Sequence, residues 1–161
     1  MVISEIYYDT ISVPETEIEW FEVYNPSTVD TYTLQGCVLS DALPSSHTIQ
    51  LPITVAPQGY ITLSNSVFPG FFADYTFSTI TLNNGPETIV LTCAATTVDA
   101  VVYTNVGPFP AGIAGQSIAV GAGFLTATDN DAGANWCNGT ATFTELGGAT
   151  GVGTPGQAND C

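Results

Sequence analysis

The sequence predicts an all-β domain built as a sandwich. No apolar stretch of ten or more residues has the 3.6-residue period of a helix, and Val, Ile and Thr, which favour strands, occur throughout the chain. Short candidate strands are separated by Pro, Gly, Asn or Asp. Short strands at such spacing are typical of a β-sandwich. Nine strands are predicted, at 2–8, 18–25, 33–40, 47–51, 59–64, 78–82, 88–93, 98–103 and 116–120.

The segment 18–25 anchors this prediction. In an extended conformation it carries large apolar side chains on both sides, and Asn25-Pro26-Ser27 then ends it with turn-forming residues. Bulky groups on both sides indicate a central strand. The opening strand, 2–8, has the same mixed character. Each of these strands contains an acid among apolar neighbours, Glu5 and Glu22, and we expect both carboxylates to reach solvent at the strand ends.

Two of the connections have a readable turn chemistry. Asn83-Asn84-Gly85-Pro86 combines residues that tolerate positive φ with a fixed proline φ, which predicts a hairpin joining 80–82 to 89–91. Ala56-Pro57-Gln58-Gly59 predicts a turn that leads into the next strand. From about Gly121 onward the pattern changes to Gly, Ala, Thr and Asn. We therefore expect an irregular tail that is held by something other than a hydrophobic stripe.

The composition predicts one domain, 1–161, with an unusual charge. The chain of 161 residues is long enough to bury a core. It contains 15 Asp and Glu residues and no Lys or Arg, so its formal net charge is -15. Charged residues make up 9% of it, against about 25% in a typical chain. Because neutralising phosphates requires Lys or Arg, we expect no nucleic-acid partner and no binding to anionic membrane surfaces.

The surface must then consist largely of neutral polar and apolar groups. Hydrophobic residues make up 45% of the chain and the mean hydropathy is +0.27. A surface of this kind tends to be covered by neighbouring molecules.

No apolar run approaches the ~20 residues that span a bilayer, so we expect no membrane insertion. The start lacks the basic segment of a signal peptide, and we interpret the numbering as that of a mature or trimmed chain.

The four cysteines predict disulfides. Cys37 and Cys93 lie on the apolar faces of their strands and could meet across the core; Cys137 and Cys161 would then pair by elimination and close the tail. Four cysteines allow three connectivities, and free buried thiols are the other alternative. The spacing, with a single His47, does not suggest a zinc site. Disulfides indicate an oxidising compartment, extracellular or at the cell surface.

Nine short blocks of the sequence together carry a family resemblance. They are 3–6 (ISEI), 19–26 (EWFEVYNP), 34–41 (LQGCVLSD), 56–60 (APQGY), 81–91 (TLNNGPETIVL), 98–103 (VDAVVY), 115–118 (GQSI), 135–137 (NWC) and 153–161 (GTPGQANDC). In this order they resemble the lamin tail domain over nearly the whole chain, and the last two blocks are similar to the end of secreted bacterial members. The resemblance implies an immunoglobulin-like β-sandwich of about 8–9 short strands with an irregular, disulfide-tied C-terminal tail.

Two positions depart from the family pattern. Ala119 and Val120 stand where the family usually has an Arg, and Cys37 stands where it often has a Trp. Nuclear members bind chromatin partners through features that this sequence lacks, so that function is not transferred. The resemblance implies a non-catalytic module of extracellular proteins, often an accessory to something larger.

The sequence gives little support to an enzyme. It has one His, no Lys and no Gly-x-Ser-x-Gly elbow, and His47 is better explained as a partly exposed strand residue. A Ser-His-Asp triad has no positive support. A carboxylate pair could be assembled from Glu15, Glu17, Glu19 and Glu22, but glycosidase sites usually add an aromatic cleft and basic or amide helpers. We expect no catalytic activity.

Cation binding is the main chemical hypothesis, with Ca²⁺ as the possible cofactor. Asp129, Asp131 and Asn135 supply oxygen ligands around a Gly, as in the first part of a Ca²⁺ loop, but the distal bidentate acid is missing. The alternative is an Asx-rich turn that caps its own backbone. Glu15, Glu17 and Glu19 form a second candidate, an acidic edge at strand spacing, whose alternative is a solvated edge.

Two functions from different classes fit these observations. The first is an extracellular structural protein that self-associates into a filament, sheath or surface assembly, so that copies of itself are its partners. The second is a monomeric adhesion or binding module, Ca²⁺-dependent in one form, cut from a larger secreted protein. The lack of positive charge favours assembly, because a solitary soluble module would not need such a charge deficit.

Overall fold

The computed structural model describes residues 1–12, 14–41 and 45–161. Its regular structure in this part of the chain is almost entirely β, with two three-residue 3₁₀ turns at Glu15–Glu17 and Gly133–Asn135. The strands are β1 Val2–Tyr7, β2 Trp20–Tyr24, β3 Tyr32–Thr33, β4 Val38–Ser40, β5 Ser46–Thr48, β6 Thr54–Val55, β7 Tyr60–Ser64, β8 Tyr75–Thr76, β9 Glu87–Cys93, β10 Thr96–Tyr103, β11 Ile118–Val120, β12 Trp136–Asn138, β13 Thr142–Thr144 and β14 Thr150–Val152.

Two main sheets form the predicted sandwich. One has six strands in the order β12-β11-β1-β2-β7-β8, and the other has four in the order β10-β9-β4-β5. The pairs β13-β14 and β3-β6 form small two-stranded sheets. β2 lies inside the larger sheet, between β1 and β7, which confirms the prediction of a central strand. The all-β sandwich is confirmed as well.

The strand order matches the core of an immunoglobulin-like sandwich. There, strands A, B and E share one sheet and C, F and G share the other. β1, β2 and β7 correspond to strands A, B and E. β4, β9 and β10 correspond to strands C, F and G, and β5 lies beside β4 in the position of strand C′. The six-stranded sheet has three further strands: β11 and β12 next to β1, and β8, which runs parallel to β7.

The main core lies between the two sheets. Phe21 and Val23 of β2 and Leu63 of β7 face Leu91 of β9 and Val101 of β10, and all five are buried in one apolar cluster. A smaller cluster lies on the outer face of the six-stranded sheet. It contains Tyr7, Ile18 and Trp20, covered by Phe71, Phe143 and Leu146. The tail that carries β13 and β14 thus forms part of a third layer on the large sheet.

One predicted strand and its hairpin are wrong. The segment 78–82 forms no strand, and β9 instead forms a hairpin with the following β10, paired from Thr96↔Cys93 to Tyr103↔Glu87. The turn of this hairpin contains Ala94 and Ala95, which have φ of 49° and 61°. Ala seldom adopts positive φ, so the turn has no recognisable sequence signal.

Both predicted disulfides are present, Cys37–Cys93 and Cys137–Cys161, and the described residues include no free cysteine. The predicted position of the first is wrong. β4 and β9 are neighbours in one sheet, with Val38 opposite Thr92, so Cys37 and Cys93 connect adjacent strands and do not cross the core. The second bond attaches the last residue to β12, as expected for a disulfide-tied tail.

Candidate functional site

Buried acids are the most unusual chemical feature of the domain. In a chain without Lys or Arg, a buried carboxylate must be satisfied by N–H and O–H donors or must keep its proton. At least six acids are almost fully buried, with exposed fractions of 3% or less. They are Glu5, Glu19, Glu22, Glu87, Asp99 and Glu145.

Glu5 and Glu22 form a buried pair. They lie opposite each other on β1 and β2, and both are fully buried, so the prediction that they reach solvent is wrong. Glu5 accepts hydrogen bonds from the Ser117 hydroxyl (2.6 Å), the Thr154 amide (2.9 Å) and the Thr154 hydroxyl (2.8 Å). Two of these donors belong to the tail, so Glu5 holds the tail against the large sheet.

Glu22 accepts hydrogen bonds from the Ser4 hydroxyl and the Gly156 amide, both at 2.8 Å. Burial, and then the neighbouring charge of Glu5, raise the pKa of Glu22 to about 9. Burial also raises the pKa of Glu5, while hydrogen bonds from Ser117 and Thr154 oppose that rise. Hydrogen bonds from Ser4, Gly156 and Gln157 likewise oppose the rise at Glu22, so both acids of the pair bind donors of the tail.

Polar contacts also hold the last residues of the chain. The Asn159 amide group donates to the carbonyls of Ser4 (2.9 Å) and Val120 (2.7 Å). The Asp160 carboxylate accepts from the amide and hydroxyl of Thr140 and from the Ala141 amide. Burial raises the pKa of Asp160, but these hydrogen bonds outweigh it, and the net shift is downward. Carboxylates, amides and a disulfide thus hold the tail, as expected, but apolar contacts of Phe143 and Leu146 with the large sheet contribute as well.

The predicted acidic edge at Glu15, Glu17 and Glu19 has a different geometry from the one expected. Glu15 and Glu17 lie in a 3₁₀ turn and not at strand spacing, and neither is buried. Glu15 accepts a hydrogen bond from the Asn84 side chain (2.8 Å). Glu19, at the entrance of β2, is only 3% exposed. The three acids therefore do not share one face.

Glu19 lines a small polar pocket. The cavity has a volume of about 240 Å³, and its lining consists of Thr16, Glu19, Asn65, Ser78, Ile80 and Thr81. One carboxylate oxygen of Glu19, Oε2, accepts from the Asn65 side chain (2.9 Å) and more weakly from the Leu82 amide (3.5 Å). Burial raises the pKa of Glu19 to about 8, and the nearby charge of Glu15 adds to the effect. Sequence reasoning found Glu19 but missed Asn65, Ser78 and Thr81, because no motif links these positions along the chain.

The predicted Ca²⁺ loop with Asp129, Asp131 and Asn135 forms most of its hydrogen bonds within itself. The Asp129 carboxylate accepts from the Thr126 hydroxyl (2.7 Å), and the Asn135 side-chain amide donates to the Asp129 carbonyl (2.7 Å). Asp131 is exposed, whereas Asn130 between the two acids is buried. Asn130 donates to the Ile3 carbonyl (3.1 Å) and to Asp99 (2.7 Å). The loop thus has the features of a self-capping Asx turn that is anchored by Asn130.

His47 behaves as a strand residue. It lies in β5, where it is partly exposed, as predicted. One of its ring nitrogens, Nε2, is 2.8 Å from the Tyr75 hydroxyl of the other sheet's edge strand. Partial burial lowers the pKa of His47. The contact is a polar link between the two sheets.

Within residues 1–12, 14–41 and 45–161, no three His, Cys, Asp or Glu side chains come together as ligands for one metal ion. Over the same residues, no helix has the length and apolar character needed to cross a membrane. Comparison of the chain with models of known protein families, with curated proteins and with solved structures gave no significant match. The resemblance to the lamin tail domain therefore rests on the sequence blocks alone.

Proposed function

We propose that the protein is a non-catalytic extracellular structural subunit that associates with copies of itself through the free edge of β10. Two disulfides indicate a non-reducing environment, which is consistent with a location outside the cell. The buried acids mostly bind backbone amides and hydroxyls of the domain itself. This use of the acids supports a structural role over a catalytic one.

The observation that carries the proposal is the edge strand β10. At eight residues it is the longest strand in the described part of the chain, and it forms the end of its sheet, paired only with β9. None of the described backbone groups bonds to its other side. Unpaired edge strands are templates for pairing with another chain, and proteins commonly protect them with Lys, which this sequence lacks.

The two halves of the edge differ in their protection. In the first half, a register shift between Thr97 and Asp99 interrupts the strand, and Asp99 turns inward to accept from the Ile3 amide (2.6 Å). Bulges and inward-pointing charges both discourage edge-to-edge pairing. The Asp99 carboxylate also accepts from the Ala100 amide (2.9 Å). Beyond Ala100 neither feature is present, and Val102 is 61% exposed, with Val106 just past the strand 63% exposed. The open part of the edge is therefore 101–103.

The charge of the chain makes such an association dependent on ions. Each copy adds a formal charge of -15, and the chain has no Lys or Arg to form a salt bridge. Repulsion between copies can be reduced only by screening, by protonation of carboxylates or by bound cations. Assembly should therefore increase with salt, with Ca²⁺ and with acidification towards the pI of about 4.1.

Sedimentation velocity of the wild type, Val102→Lys and Val29→Lys tests the proposal. Val29 is 79% exposed, lies outside the strands and gives a matched control, because both substitutions add one positive charge at an exposed valine. The wild type and Val29→Lys should form oligomers at about 0.15 M salt, whereas Val102→Lys should stay monomeric. Assembly of Val102→Lys to the same extent as Val29→Lys would exclude the β10 edge as the interface.

A second candidate function is the monomeric adhesion or binding module. It is favoured by the loop between β7 and β8, where Phe68 and Phe72 are 42% and 82% exposed and contact each other edge to face at 5.1 Å between ring centroids. Exposed aromatic side chains are enriched at binding interfaces. A wild-type protein that remains monomeric in high salt, in Ca²⁺ and at low pH would favour this function over assembly.

A further inference from the structure

We propose that the pocket around Glu19 binds a hard divalent cation, Ca²⁺, with the Glu19 carboxylate as the charged ligand and Asn65 Oδ1 as a neutral one. This inference does not depend on the proposed assembly, because it concerns a site within one copy of the chain. The two can therefore fail independently.

An unsatisfied oxygen lies at this pocket. Asn65 Oδ1 is buried and has no hydrogen-bond partner among the described residues. It belongs to the side chain whose nitrogen donates to Glu19 Oε2, and both residues line the same cavity. Because a buried acceptor without a donor is unfavourable, this oxygen beside a carboxylate indicates that a ligand supplies the missing interaction.

The position of Asn65 is fixed by its contacts. Its side-chain nitrogen donates to Glu19 Oε2 (2.9 Å), which leaves its oxygen free for another partner. Two main-chain contacts hold this arrangement, because the Asn65 amide (3.2 Å) and the Ser64 hydroxyl (2.8 Å) both donate to the Glu19 carbonyl. The pairing of β2 with β7 thus fixes Asn65 beside Glu19.

The missing charge is positive. Burial disfavours the anion of a carboxylate that is 3% exposed, and the chain has no Lys or Arg to compensate it. Glu15 increases the local negative potential, since its charge acts on Glu19. A positive ligand from solution would remove this unfavourable burial.

The ligands available at the pocket favour Ca²⁺. The side chains that line the cavity offer carboxylate, amide and hydroxyl oxygens, from Glu19, Asn65, Thr16, Ser78 and Thr81. An oxygen-rich, irregular set favours Ca²⁺, which accepts six to eight oxygen ligands including waters, over Mg²⁺, which requires near-ideal octahedral geometry. The cavity of about 240 Å³ leaves room for such waters. With so few acids at the site, affinity should be in the 10⁻⁴–10⁻³ M range of extracellular Ca²⁺ modules, as an order of magnitude.

Calcium titration of the wild type, followed by backbone amide NMR shifts, locates the site directly. Shifts should concentrate at 15–19, at Asn65 and at 78–82, and should be half complete at a Ca²⁺ concentration on the order of a millimolar. Na⁺ at equal ionic strength should not reproduce them. Shifts confined to 126–135, or equal shifts with Na⁺, would overturn the proposal, since they would indicate another site or simple screening.

The matched variants are Glu19→Gln and Glu17→Gln, which remove one charge each from the pocket and from the exposed turn beside it. Glu19→Gln should weaken Ca²⁺ binding by at least roughly tenfold, whereas Glu17→Gln should bind as the wild type does. Equal weakening in both would show that only net charge matters. If Glu19→Gln does not fold, Ser78→Val at the exposed rim of the pocket should still lower the affinity. A Ser78→Val protein that binds Ca²⁺ as tightly as the wild type, or a wild type without shifts in the pocket, would refute the site.

Discussion

The buried pair of Glu5 and Glu22 predicts that the domain is more stable in acid than in alkali. In the folded protein the pKa of Glu22 is raised to about 9 by burial and by the charge of Glu5, while in the unfolded chain it returns to about 4.3. The folded state therefore retains a proton that the unfolded state loses. Stability from this group is fully present below the unfolded pKa and is lost as pH rises towards 9.

The magnitude follows from the width of this window. Each pH unit between the two pKa values changes the free energy of unfolding by about 1.4 kcal/mol per proton. Over the interval from pH 5 to pH 9, the loss should be on the order of several kcal/mol. For a chain of this size, 1 kcal/mol corresponds to about 2–4 °C in melting temperature, so Tm should fall by roughly ten degrees. Glu19, with its pKa raised to about 8, acts in the same direction.

The perturbation is Glu22→Gln, which keeps the shape of the side chain and removes its titration. Urea unfolding at pH 5, 7 and 9 should show a smaller loss of stability with pH in this variant than in the wild type, and the exposed Glu17→Gln should keep the wild-type slope. Below about pH 4.5 the trend reverses, because Glu145 and Asp160 have lowered pKa values and lose their hydrogen bonds on protonation. A wild-type stability that rises from pH 5 to pH 9, or a slope unchanged by Glu22→Gln, would refute the reasoning.

Two further changes test the packing of the fold. Replacing Cys37 and Cys93 by Ala should lower the denaturant midpoint more than replacing Cys137 and Cys161 by Ala. The first bond spans 56 residues and the second 24, so their loop-closure entropies differ by about 0.7 kcal/mol. Equal midpoints of the two double variants would contradict this. Gly153→Ala would place a Cβ 2.9 Å from Glu5 Oε1, so it should cost about 1–3 kcal/mol and speed hydrogen exchange in the tail. Gly123→Ala, where a Cβ meets nothing within 4 Å, is its control.

The sequence predicted the strands whose alternation is local and strong. β1, β2, β7, β9 and β10 all lie within or near their predicted ranges, because bulky β-branched and aromatic residues dominate them. The strands of the tail were missed because their stability comes from pairing and not from propensity. β14, for example, contains Gly151, whose position against the Phe143 ring leaves no room for a Cβ.

The candidate site was less predictable for a physical reason. Glu5 binds Thr154 across 149 positions of sequence. The donors to this acid pair include backbone amides, those of Thr154 and Gly156 among them, and such amides exist at every residue except proline. A side-chain pattern therefore cannot reveal them. The acids themselves gave one usable signal, since Glu5 and Glu22 each stand among apolar neighbours in a strand. In a chain without Lys or Arg, that placement was more consistent with a buried, protonated acid than with a solvated one.

The absence of positive charge connects the stability of the domain to its association. Protonation near pH 5 stabilises the fold through Glu22, whose pKa is raised, and the same acidification reduces the net charge that opposes contact between copies. A divalent cation at neutral pH would have a similar pair of effects, because it compensates the buried charge of Glu19 and lowers the net charge at once. Under the proposed assembly, the fold and the contacts between copies would therefore respond to the same external ions. Internal Lys or Arg residues would have made both insensitive to their surroundings.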